Sequence, residues 1–172
     1  MMTAAVLESA VETCNDDPLV RSLTAVPPFE SGEVICAEPT LQQDLQLAAD
    51  CDVPVLVSGI RRSMGERVAW WIHRRSARRT APFLVMDGRY RGVPAAVIAA
   101  MRRVQHGTLF MAHVDQLSPA MQVALLEFLE RRRGEGLRLI AGSEGSVLQR
   151  VRNGQFREDL YYRLNLIHLR IE

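Results

Sequence analysis

The sequence has no apolar run approaching the roughly 20 residues that span a bilayer, and no N-terminal stretch that is basic and then apolar. Glu8, Glu12, Asp16 and Asp17 stand where a secretory signal would carry cations. The cytoplasm is the expected compartment, and no membrane partner is expected. Cysteine is scarce and scattered: Cys14, Cys36 and Cys51 form no C-x-x-C pair and have no histidine at ligand spacing. That argues against a disulfide framework and against a zinc site, so no metal is expected. The balance of 48% hydrophobic and 24% charged residues is that of a folded globular chain, not a disordered or fibrous one. Its 172 residues suit one domain with a core and are too few for two comfortable ones.

The net charge of +1 hides a clustering of arginine at 61–62, 74–75, 78–79, 102–103 and 131–133. Such clusters suit a nucleic acid or an acidic partner surface. Most also fall at predicted helix ends, where a cation favours the negative end of the helix dipole, which is the plainer reading.

Residues 1–39 are read as a helix and lead-in. Apolar Ala4, Val6, Leu7 and Val11 give Thr3 to Thr13 a short amphipathic pattern that Asn15-Asp16-Asp17-Pro18 ends. A second helical pattern follows from Leu41 through Leu45, Leu47 and Ala48. Within 40–172 the pattern changes to short apolar runs at Val53–Val57, Phe83–Met86, Thr108–Met111, Leu137–Ile140 and Leu166–Leu169, separated by helical stretches. Near-continuous apolar runs predict strands buried on both faces, and their alternation with helices predicts a parallel sheet in a three-layer α/β core.

The intervening helices have readable ends. Ser63-Met64-Gly65-Glu66 reads as a capping box ahead of Val68, Trp71, Ile72 and Arg75. Ser118-Pro119 reads as an N-cap and first-turn proline ahead of Met121, Leu125, Phe128 and Leu129, with Arg131 to Gly134 as a basic last turn and a stop. Val97, Ile98, Met101 and Val104 form a further stripe, and each stripe is read as core.

Gly154-Gln155-Phe156-Arg157-Glu158-Asp159-Leu160-Tyr161-Tyr162-Arg163-Leu164-Asn165 resembles the G-x-F-R-E-D-L-Y-Y-R-L-N signature of the AAA+ domain of sigma-54-dependent transcription activators. Gly107-Thr108-Leu109-Phe110 resembles that family's G-T-L-F strand. Leu117 to Gln122 resembles the helix after its second Walker motif, and Ile72 to Ser76 the end of its phosphate-loop helix. The similarity runs from about Glu38 to Glu172 and implies a P-loop NTPase-like α/β core with a parallel sheet. On this resemblance the core is expected to lack the family's helical lid and any helix-turn-helix module.

The phosphate loop departs from the family. A strand-loop-helix with G-x-x-x-x-G-K-[ST] works because glycines let backbone amides wrap the phosphates and a lysine adds positive charge. Here the aligned residues are Gly59-Ile60-Arg61-Arg62-Ser63-Met64-Gly65-Glu66, with Met64 in a glycine's place and Gly65 in the lysine's. Arg61 and Arg62, just before a helix N-terminus, would suit an anion. The alternative is that they are solvated loop arginines.

The second Walker strand has Met111-Ala112-His113-Val114 where the family has Asp-Glu to organise Mg²⁺ and polarise water. Ala112 offers a metal nothing, and His113 opposes a cation. His113 with Asp115 is a candidate general-base pair, set against a hydrogen-bonded surface histidine. Glu144 takes the place of the family's sensor asparagine, and no G-A-F-T-G-A motif lies between Phe83 and Gly107. Glu130 to Leu137 is short for the family's second pore-facing loop.

In the family the signature arginines reach a neighbouring subunit's ATP, so Arg157 and Arg163 are candidate trans arginine fingers. Six positions apart, they sit about 120° off a shared helix face, which requires a bend between them. The alternative is that they pair with Glu158 and Asp159. The resemblance thus implies a pseudo-ATPase acting as a regulatory interaction module, with an intact sigma-54 activator ring as partner and no direct DNA contact. No cofactor and no catalytic residue are expected. A module holding ATP without turnover is the alternative, and an atypical active ATPase ranks last.

Overall fold

The computed structural model describes residues 39–103, 106–131 and 136–171. The helix read at Thr3 to Thr13, Val104 of the third stripe and the stop at Gly134 lie outside them. The elements run α1 (Pro39–Asp50), β1 (Val55–Ser58), α2 (Arg62–Arg75), β2 (Phe83–Asp87), α3 (Pro94–Arg103) and β3 (Thr108–Ala112). A 3-10 turn (Val114–Gln116) follows, then α4 (Pro119–Arg131), β4 (Arg138–Ser143), α5 (Val147–Arg152), α6 (Glu158–Leu164) and β5 (Ile167–Arg170). All five expected strands are present.

The strands form one parallel sheet in the order β2-β3-β4-β1-β5, with Val55 level with Ile140 and Ile167, and Thr108 level with Phe83 and Arg138. Residues alternate between the two faces of the sheet. Leu84, Met86, Leu109, Met111, Leu139 and Ala141 pack with residues of α3, α4 and α6, while Val55, Val57, Phe83, Phe110, Ala112 and Ile140 pack with residues of α1 and α2. The expected three layers result. Strand β5 is an edge, with Leu169 buried and Arg170 exposed, so its apolar run is covered on one side only. Leu47 is 53% exposed and belongs to no core face.

The α4 start is as read: the Ser118 hydroxyl accepts from the Met121 amide at 3.3 Å. The α2 start is not. The helix begins at Arg62, its N-cap is Arg61 without a side-chain cap, and Ser63 lies inside the first turn. Glu66 does not reach back to Ser63 but holds Arg62, Oε1 to Nε, at 2.7 Å. The helix thus starts two residues nearer the strand than the capping box would place it. Ser118→Ala is therefore expected to cost about 1 kcal/mol of stability, and Ser63→Ala less than about 0.5 kcal/mol. Urea unfolding of the two variants checks the difference, and an equal loss at both positions would contradict the cap assignment.

Among the described residues, no helix is long and apolar enough to cross a membrane.

Candidate functional site

In a doubly wound parallel sheet, ligands bind outside the carboxyl ends of the strands where the strand order reverses, here at β1. Ile60, Arg61, Arg62 and Gly65 after β1, Phe110, Ala112 and His113 at the end of β3, and Gly142, Ser143 and Glu144 at the end of β4 line one cleft there. The fold thus brings together most of the residues singled out from the sequence, leaving Gly59, Ser63 and Glu66 off its walls.

The cleft encloses no water-sized volume, about 0 Å³. The Phe110 ring fills it from below. A Cβ built on Gly65 would lie 2.7 Å from Phe110 Cζ and 3.0 Å from Ile60 Cδ1, and one on Gly142 would lie 2.7 Å from the same Cζ. The glycine at 65 therefore serves packing against an aromatic ring.

Three of the loop amides are engaged as well. The N–H groups of Gly59 and Ile60 both donate to the Ser143 carbonyl, at 3.1 and 3.4 Å, and the Gly65 N–H donates to the Arg61 carbonyl at 3.0 Å. An anion nest needs such amides converging on open space. Gly59 has a φ of 84°, the left-handed region open to glycine, and a side chain there would meet the Ile171 carbonyl.

Arg62 is not a solvated loop residue: it opens α2 and its guanidinium is taken up by two carboxylates. Its guanidinium donates to Glu66 at 2.7 Å and to Asp87 Oδ2 at 2.9 Å. Arg89 donates to the same Asp87 oxygen at 2.7 Å. Burial alone would raise the Asp87 pKa, but hydrogen bonds from the Arg89 side chain and backbone hold it below the usual carboxylate value. Sequence reading missed Asp87 and Arg89. Their only signal is an acid closing the apolar run of β2. Arg61 remains exposed at the helix entry.

His113 is not a surface residue: it is 5% exposed, in the left-handed region at φ 50°, and its Nδ1 has no partner. Asp115 is likewise buried, lies 3.5 Å from Arg150 Nε, and leaves Oδ1 without a partner. Burial raises its pKa, partly offset by Arg150. Ala112 is buried. Glu144 is exposed on the bend after β4, where the Ser143 hydroxyl donates to the Gly145 carbonyl at 2.9 Å. Among the described residues, no group of three or more His, Cys, Asp or Glu is placed to share a metal ion.

The signature arginines lie apart from the cleft. Arg157 holds the N-cap position of α6 in extended backbone without a side-chain cap, and Arg163 lies in the last turn of the helix, Glu158–Leu164, so the change of backbone falls at Arg157 itself and the helix between them is unbroken. Arg157 pairs with Asp159 at 2.6 Å, as the structural alternative held, whereas Arg163 pairs with Glu130 of α4 at 3.3 Å. Both side chains are nearly half exposed. Gln122, 2% exposed, fixes this segment: its Oε1 accepts from the Arg157 amide at 2.8 Å, and its Nε2 donates to the Leu117 and Gln155 carbonyls. The one sequence signal for it is a polar residue beside the apolar stripe of α4.

Five parallel strands in this order, with a cleft at the end of β1, make the chain an α/β domain of the P-loop NTPase type. NtrX from Brucella abortus in complex with ADP superposes with a TM-score of 0.69 at 20% identity, over 97% of this chain and 41% of that one. The P-loop NTPase domain of a sigma-54 transport activator from E. coli gives a TM-score of 0.59 at 20% identity, over 76% of this chain and 91% of that one. The sequence profile of the sigma-54 interaction domain matches residues 85–170. The C4-dicarboxylate transport transcriptional regulatory protein DctD of Rhizobium meliloti is 33% identical over 159 residues, 76% of this chain and 35% of DctD. The phenol regulator MopR of Acinetobacter guillouiae is 31% identical over 71% of this chain and 27% of MopR. The chain belongs to the sigma-54 interaction domain family, and it spans under half the length of DctD and MopR.

Proposed function

We propose that this domain is a regulatory member of the family that binds a protein partner and does not turn over ATP. The observation that carries the reading is an asymmetry between two surfaces. At the carboxyl ends of the strands most of the phosphate loop is drawn into a helix, the amides of Gly59 and Ile60 are engaged by Ser143, and Phe110 occupies the space between Gly65 and Gly142. The positions that would carry metal-organising and water-polarising carboxylates are Ala112 and His113. By contrast the segment from Phe156 to Asn165 keeps its signature residues and is anchored by Gln122, with Arg157 and Arg163 on the surface.

An arginine finger acts on a neighbour's nucleotide and needs no active site in its own subunit. The partner proposed is therefore a ring of intact sigma-54 activator subunits. Both arginines rest in exposed ion pairs, which are weak enough to exchange for a stronger anion. Binding of ATP without turnover is the second reading. It requires the Arg62 pairs to open and Phe110 to move.

Mixed with an intact activator from the same cell, the protein is expected to change that activator's ATPase rate in a concentration-dependent way, downward if poisoning dominates and upward if the fingers are productive. Substituting Arg157→Ala and Arg163→Ala together should abolish any stimulation and leave association largely intact, because a finger stabilises the transition state more than the complex. Absence of association in sedimentation or cross-linking would end this reading.

A further inference from the structure

In a parallel α/β unit each helix returns the chain to the amino end of the next strand, so the helix C-termini gather at one end of the sheet. Here that rule brings the arginine clusters together. Arg74 and Arg75 close α2, Arg78 and Arg79 follow it, Arg102 lies at the end of α3 and Arg131 at the end of α4. Arg78 ties this end: its guanidinium bonds Asp52 and the carbonyls of Gly107 and Gly136, which precede β3 and β4.

Acidic groups nearby are already engaged. Asp50 accepts from Gln46, Asp52 pairs with Arg78, Glu127 with Arg131, and Glu130 with Arg163. Arg74, Arg75, Arg79 and Arg102 have no carboxylate partner among the described residues. Arg75 lies over the Trp71 ring at 4.0 Å, which leaves its charge facing outward. This end of the molecule carries excess positive charge.

The same end holds a cavity of about 450 Å³ between the entries to β1, β4 and β5. Its walls are largely apolar, with Phe128, Leu129 and Leu137, and Tyr162 and Leu166 are each 59% exposed. Arg138 is also a wall residue, 3% exposed. Its guanidinium bonds the carbonyls of Val53 and Ala48, but its Nη1 has no partner. The nearby carboxylate that favours its charge, Asp52, is shared with Arg78.

We propose that this amino-end face docks an acidic segment of a protein partner, whose apolar side chains enter the cavity and whose carboxylates meet the surrounding arginines. The pairing of an apolar cavity with a cationic surround favours a peptide that alternates acidic and apolar side chains. A nucleic acid would use the charge but leave the cavity unfilled. This site is at the opposite end of the sheet from the cleft, and Arg163 also lines its cavity.

The test is fluorescence anisotropy on the full chain with a short labelled peptide alternating Glu with Leu and Phe, beside its Gln counterpart and a DNA duplex. The acidic peptide is expected to bind at least about tenfold more tightly than the Gln form. Leu166→Glu and Arg75→Glu, both at exposed positions, should each weaken it by about tenfold, with Tyr162→Ala as a second probe of the cavity rim. The proposal is overturned if the acidic peptide does not bind, if it and its Gln form bind alike, if these substitutions leave binding unchanged, or if the duplex binds more tightly than the peptide.

Discussion

Purified protein supplied with Mg²⁺ and ATP is expected to release phosphate no faster than buffer, and Gly65→Lys is expected to destabilise the fold without restoring turnover. Loss of one preorganised charge-stabilising group costs an enzyme about 10² to 10³ in rate, and here several such groups are replaced at separate positions. All 21 cationic residues counted for the chain are arginine, so no lysine from another element stands ready to take the place at 65. A lysine introduced there would put its Cβ 2.7 Å from the Phe110 ring, which is fully buried and held between two glycines. Overpacking of this kind costs about 1–3 kcal/mol, more than the gain of up to about 1 kcal/mol from replacing glycine in a helix. Phosphate release and urea unfolding measured on the same preparations decide the matter. Mg²⁺-dependent turnover by the wild-type chain that is lost on altering Gly65 or His113 would overturn the expectation.

Strands β1 to β4 were legible because each buries both faces or nearly so, which leaves continuous apolar runs with no competing helical period. What lay beyond reading were contacts between residues far apart in sequence. Ser63 and Glu66 fit a capping box locally, but Arg62 has a second partner in Asp87, at the end of the next strand, and that pair draws the helix start toward β1. His113 looked solvated because a histidine just past a strand usually is. The left-handed turn at this residue folds the 3-10 segment back over the strand ends, where the Gly88 amide bonds the Ala112 carbonyl at 2.7 Å. Arg163 has acids close by in its own helix, yet its partner Glu130 comes from α4 across the packed interface. The substitutions at 65, 112 and 113 were visible as residue types. That Phe110 occupies the cleft was not, because the same residue fits the family's strand.

A second large effect is expected at the other end of α2, in the acid limb of stability. His73 is 1% exposed, stacked on Trp70 at 5.4 Å and beside Phe83 at 5.3 Å, with its Nδ1 3.0 Å from the Thr108 hydroxyl. Burial, followed by the charges of Arg74 and Arg138, lowers its pKa from 6.5 to about 4, with a smaller opposing pull from the Ala81 backbone. Above pH 6.5 the ring is neutral in both folded and unfolded chains and contributes no pH dependence. As pH falls from 6.5 toward 4 the unfolded chain takes up a proton that the folded chain refuses, so stability drops, by about 3 kcal/mol over the window. His73→Gln keeps a group able to bond Thr108 and cannot titrate, so it should be less stable at neutral pH yet lack this component. Subtracting its urea-unfolding free energies from those of the wild type at each pH cancels the carboxylates and the other histidines. That difference should shrink steadily between pH 6.5 and 4, and a difference constant across the window would show that His73 is protonated as readily in the folded chain as in the unfolded one.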